Sequence, residues 1–238
     1  MGLTKYREIA NDIRSKILKG IYKKNEQLPF EKELCEKYHA SKMTVKKALD
    51  LLVAEGLIVK KRGSGTFVKD IQTQEMQRMM LSNQFRGFTA TYADRKVSSI
   101  VLDFSVISAP ERVATYLNIQ KDSFVYAIRR VRCVDDQPLV IESMYMPIHV
   151  ITGLKKEHLE ASVYKYIEED LGLKIQSAHR TIRVRKSTAE EQRHLHMQEH
   201  DPVAEVEQVA FLDNGQAFEY SLSVHRYDAF EFKTVILR

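Results

Sequence analysis

The sequence predicts an α+β protein in two parts: a small helical unit closed by a β-hairpin, then a larger, mainly antiparallel sheet with helices on one side. Three observations predict it. Apolar residues in the first 60 positions recur at helical spacing, whereas beyond position 97 they fall mostly in strand-length runs separated by turn residues. The charge divides along the same line: residues 1–70 hold 16 Lys and Arg against 9 Asp and Glu, and the rest hold 21 against 23. Between the parts lies a polar stretch rich in Met and Gln, so we read units at 1–70 and 81–238 with 71–80 as the linker.

Residues 4–19 place Tyr6, Ile9, Ala10, Ile13 and Ile17 on one helix face, and Gly20 is a natural stop. After Pro29 a second helix is expected at 31–38, with Leu34, Cys35 and Tyr38 inward. His39 and Ala40 turn the chain into a third helix, which Ser41 can cap by accepting from an unpaired N–H of the first turn. Val45, Ala48, Leu49 and Leu52 face the core of this helix, leaving Lys42, Thr44, Lys46 and Lys47 outward. Residues 57–68 then alternate, turn at Gly63-Ser64-Gly65 and return, a hairpin with Arg62 at its tip. Three helices and a basic hairpin make a winged helix-turn-helix. Its excess of seven positive charges points to a polyanion, double-stranded DNA. Ser41, Lys42, Thr44, Lys46 and Lys47 are placed to reach phosphates and base edges in a major groove, and Arg62, Gly63 and Gly65 to enter the adjacent minor groove.

These 70 residues resemble the DNA-binding domain of the GntR family of bacterial repressors. The resemblance rests on Tyr6-x-x-Ile9-Ala10, Leu28-Pro29-x-Glu31-x-Glu33-Leu34, Ser41-x-x-Thr44-Val45, Ala48-Leu49-x-x-Leu52, Glu55-Gly56-Leu57-Ile58 and Gly63-x-Gly65-Thr66-Phe67-Val68, in that order. The family's usual Ser after the Pro is Phe30 here, which weakens the start of the second helix by about 1 kcal/mol unless Phe30 packs. Its two usual recognition-helix arginines are Lys42 and Lys46, which lack the planar fork that pairs with guanine.

Beyond the linker, strands are expected at 97–107, 123–133, 138–146, 174–186, 203–212, 216–227 and 231–237, and helices at 110–117, 162–171 and 188–196. Alternation puts Arg130 and Arg132 on one strand face and Arg129 on the other, so the first two form a fork suited to an anion. Whether Glu142 joins them is a matter of register. A three-residue loop at Asp135-Asp136-Gln137 sets Glu142 opposite Arg130, and a two-residue loop sets it opposite Arg129. Ser162 is a plausible N-cap with Tyr164 just inside it, and Glu219, Ser221, Ser223, His225 and Tyr227 share one strand face.

This order resembles the UTRA effector domain of the HutC branch of the GntR regulators, which has the chorismate-lyase fold. Arg130-x-Arg132, Glu142, Ser162-x-Tyr164, Phe218-Glu219-Tyr220-Ser221 and His225-Arg226-Tyr227-Asp228 carry it. Within the branch, the sequence resembles regulators of glucomannan and β-glucoside utilisation. The resemblance implies an effector pocket of Arg130, Arg132, Glu142, Ser162, Tyr164, Glu219 and His225, with Phe88 and Thr89 in a loop whose amides hold a phosphate. It implies a phosphorylated sugar as ligand and a homodimer on a palindromic operator. His225 stands where several relatives carry Tyr.

Other classes find little support. No apolar run approaches the ~20 residues of a membrane span. The charged start has no export signal, and Cys35 and Cys133 read as separate thiols of a cytoplasmic protein. His194, His196 and His200 do not share a helix face, so no metal site is expected. No Ser-His-Asp order, P-loop or dinucleotide fingerprint appears, and no catalytic residue or cofactor is expected. The rival readings are a chorismate-lyase-like enzyme, against which the basic winged helix argues, and a DNA-binding dimer with no effector.

Overall fold

A computed structural model describes residues 4–70 and 87–236. The chain divides into two units, residues 1–84 together with 232–238, and residues 85–231. The expected linker at 71–80 lies outside the described residues.

In the first unit α1 (Lys5–Leu18), α2 (Glu31–Tyr38) and α3 (Lys42–Ala54) are followed by strands β1 (Ile58–Lys61) and β2 (Gly65–Val68). The apolar spacing decides the packing. Ile9, Ala10, Ile13 and Ile17 of α1 meet Leu34 of α2 and Val45, Ala48, Leu49 and Leu52 of α3 in one core, which Leu28, Leu57, Ile58 and Val68 close from the hairpin side. Phe30 is exposed and does not pack, so α2 has no side-chain cap. Instead Glu33 Oε2 reaches back to accept the Phe30 N–H at 2.7 Å. Arg14 and Glu55 tie α1 to the end of α3 through two bonds, one of them 2.9 Å long, in a nearly buried ion pair.

The second unit opens with a short helical turn, α4 (Phe88–Thr91), where a loop was expected. Its body is a six-stranded antiparallel sheet in the order β3 (Val97–Ser108), β4 (Phe124–Val134), β5 (Gln137–Pro147), β8 (Ala217–Arg226), β7 (Pro202–Leu212), β6 (Ile175–Lys186). Helices cover both faces, not one as expected. On one face α6 (Lys156–Glu160) and α7 (Val163–Lys165) bring Leu159 and Val163 onto Ile128, Met144 and Met146. On the other, α5 (Glu111–Leu117) brings Val113, Ala114 and Leu117 onto Val125, Val209 and Tyr220, and α8 (Ala189–Leu195) brings Leu195 onto Val131, Ile141 and Val224. A sheet covered on both sides needs apolar residues at odd and even positions alike, as β7 has.

The helix expected at 162–171 forms, as α7 capped by Ser162 and continued by a π-helical segment, Tyr166–Asp170. One further expectation fails. Residues 231–236 form no strand: both sheet edges belong to other segments, and Phe232 and Ile236 are exposed. Instead Val235 lies against Gly56, where an added Cβ would stand 2.8 Å from its Cγ2. No helix among the described residues is long and apolar enough to cross a membrane.

Candidate DNA-binding and effector sites

On the first unit, Ser41 caps α3: its Oγ accepts the Thr44 N–H at 3.3 Å and lies 2.9 Å from Thr44 Oγ1. Lys42, Lys46 and Lys47 project from the exposed face, with Thr44 half-buried among them. Lys5 and Tyr6 of α1 border the same face, a placement the sequence did not indicate. With Met43, Thr44, Lys46, Lys47 and Asp50 they line a depression of about 560 Å³, and Lys47 Nζ sits 4.4 Å from the centre of the Tyr6 ring. Arg62 and Gly63 are exposed at the hairpin tip. Gly63 has φ of +74° and open space where a Cβ would stand. Gly65 is constrained by the turn itself. At φ of +119° its Cβ would lie 2.4 Å from Gln27 Nε2, which donates to Ser64 O and braces the turn.

On the second unit the sheet assembles side chains from distant parts of the chain. Arg130 stands opposite Glu142. Its Nε donates to Glu142 Oε2 at 2.8 Å and its Nη1 to Leu159 O at 2.6 Å. The register is thus the first of the two considered, but the loop is the two-residue turn of the other. Cys133 pairs with Pro138 and Arg132 with Val140, so Leu139 is an extra residue held in a β-bulge, and Asp135 and Asp136 both have positive φ. Arg129 faces the other way, to Glu190 of α8 at 2.7 Å.

Arg132, 1% exposed, is the most enclosed charge of the unit. Nη2 donates to Thr89 Oγ1 at 2.6 Å, Nη1 to Ser99 Oγ and Ala161 O, and the guanidinium lies over the Phe88 ring at 4.9 Å. Burial, reinforced by the neighbouring Arg130 charge, pushes its pKa down to about 10. Burial also works against the Glu142 charge, but Arg130 and Arg132 outweigh it and hold that carboxyl below its ordinary value.

Glu219, 2% exposed, receives Gln208 Nε2 at 2.9 Å and Ser221 Oγ at 2.8 Å, both on Oε1. Gln208 is oriented in turn by Arg180, whose Nε donates to its Oε1 at 2.6 Å, and its Nε2 also lies 3.3 Å from the Tyr164 hydroxyl. Burial, helped by the Glu142 charge, raises the Glu219 pKa. His225, between β5 and β7, contacts the Phe230 ring and is driven by burial down to about 4, so it is neutral. Ser162 accepts the Lys165 N–H at 3.3 Å and caps α7. Two buried polar atoms have no partner among the described residues: Arg132 Nε, a donor, and Glu219 Oε2.

The structure therefore joins Phe88 and Thr89 to Arg132 and Glu142 to Arg130 by direct contacts, with the two arginines on one strand face, and brings Tyr164 and Glu219 together through Gln208. Ser99, Arg180 and Gln208 were missed. Gln208 follows Glu205 and Glu207 in the same strand and carries no distinct signal, and its contact with Arg180 follows only from the strand order. Cys35 and Cys133 are free thiols, and no group of three metal-ligating side chains occurs among the described residues.

Family comparisons agree with both units. Residues 5–68 match the gntR family of bacterial regulatory proteins, and residues 93–231 match the UTRA domain. The HTH-type transcriptional regulator GmuR of Bacillus subtilis is 42% identical over 236 residues, covering 99% of this chain and all of that one. The mannosyl-D-glycerate transport/metabolism system repressor MngR of Escherichia coli is 31% identical, covering 98% and 96%. Among solved structures, the possible transcriptional regulator YydK of Bacillus subtilis superposes with a TM-score of 0.76 at 29% identity, covering 99% of this chain and all of that one. A basic winged helix and a polar-lined sheet domain, each matched to its own family over nearly its whole length, leave one assignment: the chain belongs to the GntR family of transcriptional regulators, in its UTRA-containing, HutC-type branch, and is a DNA-binding regulator rather than an enzyme.

Proposed function

We propose that the chain is a cytoplasmic, homodimeric repressor of a carbohydrate-utilisation operon, released from DNA by a phosphorylated sugar. Each winged helix takes one half of a palindromic operator, because a two-fold protein reads a two-fold site. Ser41, Lys42, Thr44, Lys46 and Lys47 contact the major groove, and Arg62, Gly63 and Gly65 the minor groove. Phe88, Thr89, Arg130, Arg132 and Ser162 form the phosphate end of the pocket, and Tyr164, Glu142, Glu219 and His225 the sugar end.

The observation that carries this reading is the pair of orphaned polar atoms. An enclosed Arg132 Nε and an enclosed Glu219 Oε2 each leave a hydrogen bond unmade, at a cost of about 1–3 kcal/mol apiece. A ligand anionic at one end and hydroxylated at the other satisfies both. The name of the relative MngR, a repressor of a mannosyl-D-glycerate system, supports the carbohydrate class. Release requires that the effector bind a DNA-incompetent arrangement more tightly than the competent one.

A thermal-shift series on the full chain with cellobiose, mannobiose and their 6-phosphates tests it. A ligand at 100 times its dissociation constant adds about 2.7 kcal/mol and raises the melting temperature. The rise should follow the phosphate and vanish in Arg132→Ala. Stabilisation by the unphosphorylated sugars alone, or a rise unaltered in Arg132→Ala, refutes the ligand class.

A further inference from the structure

Four side chains, Val45, Ala48, Leu49 and Leu52, fill the inward face of α3, each at most 1% exposed. Met43 stands on the opposite side, roughly 170° around the helix from them at ~100° per residue. It is 73% exposed, more than any other large apolar residue of the helix. The core makes no use of it. Its surroundings are mainly cationic: Lys42 precedes it, Lys46 and Lys47 follow one turn later, Lys5 of α1 lines the same depression, and the acid there, Asp50, is paired with Lys60 Nζ at 2.6 Å. Lys47 is drawn aside over the Tyr6 ring, which leaves Met43 foremost on the first turn. Such an array complements a polyanion and not an apolar protein surface.

We propose that Met43 reads the C5-methyl group of a thymine in the major groove of each half-site. This rests on the DNA-binding role of α3 and names a base-edge group that α3 recognises. The reasoning is by chemistry. Ammonium groups are satisfied by phosphates, which carry no sequence, or by guanine acceptors. A thioether side chain has no strong donor or acceptor, and the thymine methyl is the large apolar group on the floor of the major groove. An unbranched Met adapts its three torsions to that methyl while the flanking lysines hold the backbone phosphates. Met43 thereby supplies discrimination that Lys42 and Lys46, lacking a planar fork, do not.

The test uses the full chain and a half-site selected from a random duplex library by that chain. Each thymine of the half-site is replaced in turn by deoxyuridine, which removes the methyl and nothing else. One position should weaken wild-type binding about fourfold, the effect of burying one methyl-sized group. Met43→Ala should bind the thymine and deoxyuridine duplexes alike, and Met43→Leu should keep the preference. Because Met43 lies outside the core, neither variant should change the melting temperature. Sequence-selective binding with no deoxyuridine effect at any position, or an effect that survives Met43→Ala, overturns the proposal alone. Failure to select any sequence overturns the DNA-binding reading beneath it.

Discussion

Glu207 is the residue whose protonation should cost the effector unit most. It lies on β7 on the face turned from the pocket, 6% exposed, and accepts from Arg112, from Arg183 at 2.9 Å and from the Tyr220 hydroxyl at 2.9 Å. Burial opposes its charge, but the donors on Arg183, Tyr220 and Arg112 outweigh it and hold the carboxyl down at about 2, against an ordinary 4.5. That difference corresponds to about 3 kcal/mol, and to about 2 kcal/mol once the solvent reaching Arg112 and Arg183 is allowed for. The folded pKa is depressed, so this stability is complete above pH 4.5 and is lost as the pH falls toward 2. In Glu207→Gln the charge is absent at every pH. Urea unfolding followed by circular dichroism and tyrosine fluorescence, the chain having no Trp, should show the variant's midpoint about 1 M lower at pH 7. The gap should shrink to less than half by pH 3. A midpoint unchanged at pH 7, or a gap equally wide at pH 3, would refute the reasoning.

Two other outcomes follow from the same geometry. Lys46→Ala, removing one exposed cation of α3, should weaken binding to specific and random duplexes alike and lower the slope of log affinity against log salt by about 0.9; an unchanged slope in a salt titration by fluorescence anisotropy would remove Lys46 from the interface. Gln208→Leu breaks the link from Arg180 to Glu219 and should reduce effector affinity about tenfold by calorimetry, the worth of one such hydrogen bond, with operator affinity intact. Equal effector affinity in that variant would show that Glu219 holds its position unaided.

The winged helix was legible almost residue by residue, because its contacts are local. Val45, Ala48, Leu49 and Leu52 announce their face through spacing alone, and Ser41 announces its cap. The arginine fork was legible for a similar reason, since two residues apart on a strand share a face. Gln208, Arg180 and Ser99 were not, because a polar residue in a strand shows neither which strand lies beside it nor which loop covers it. The pairing β5-β8-β7-β6, which joins Glu142, Glu219, Gln208 and Arg180 across one surface, is a property of topology. The helices at 110–117 and 188–196 were legible but the sheet face they cover was not, because α5 and α8 are only seven residues each, too short for a face to show. The strand expected at 231–237 shows the converse error: alternation without a neighbouring edge to bond is not a strand.

The bulge at Leu139 stores the parity of the pocket away from the hairpin tip. A β-hairpin has two self-consistent pairings one residue out of step, and they send the same side chains to opposite sides of the sheet. Here the tip, Asp135 and Asp136, sets only the reversal of direction, and the surplus residue further along β5 sets the phase. The two can therefore drift independently: tip residues that tolerate positive φ are interchangeable, whereas ironing out Leu139 would turn Glu142, Met144 and Met146 together away from the face that carries Arg130 and Ile128. An alignment or design that counts regularly from Gln137 assigns those three to the wrong side of the sheet, with every residue correctly identified.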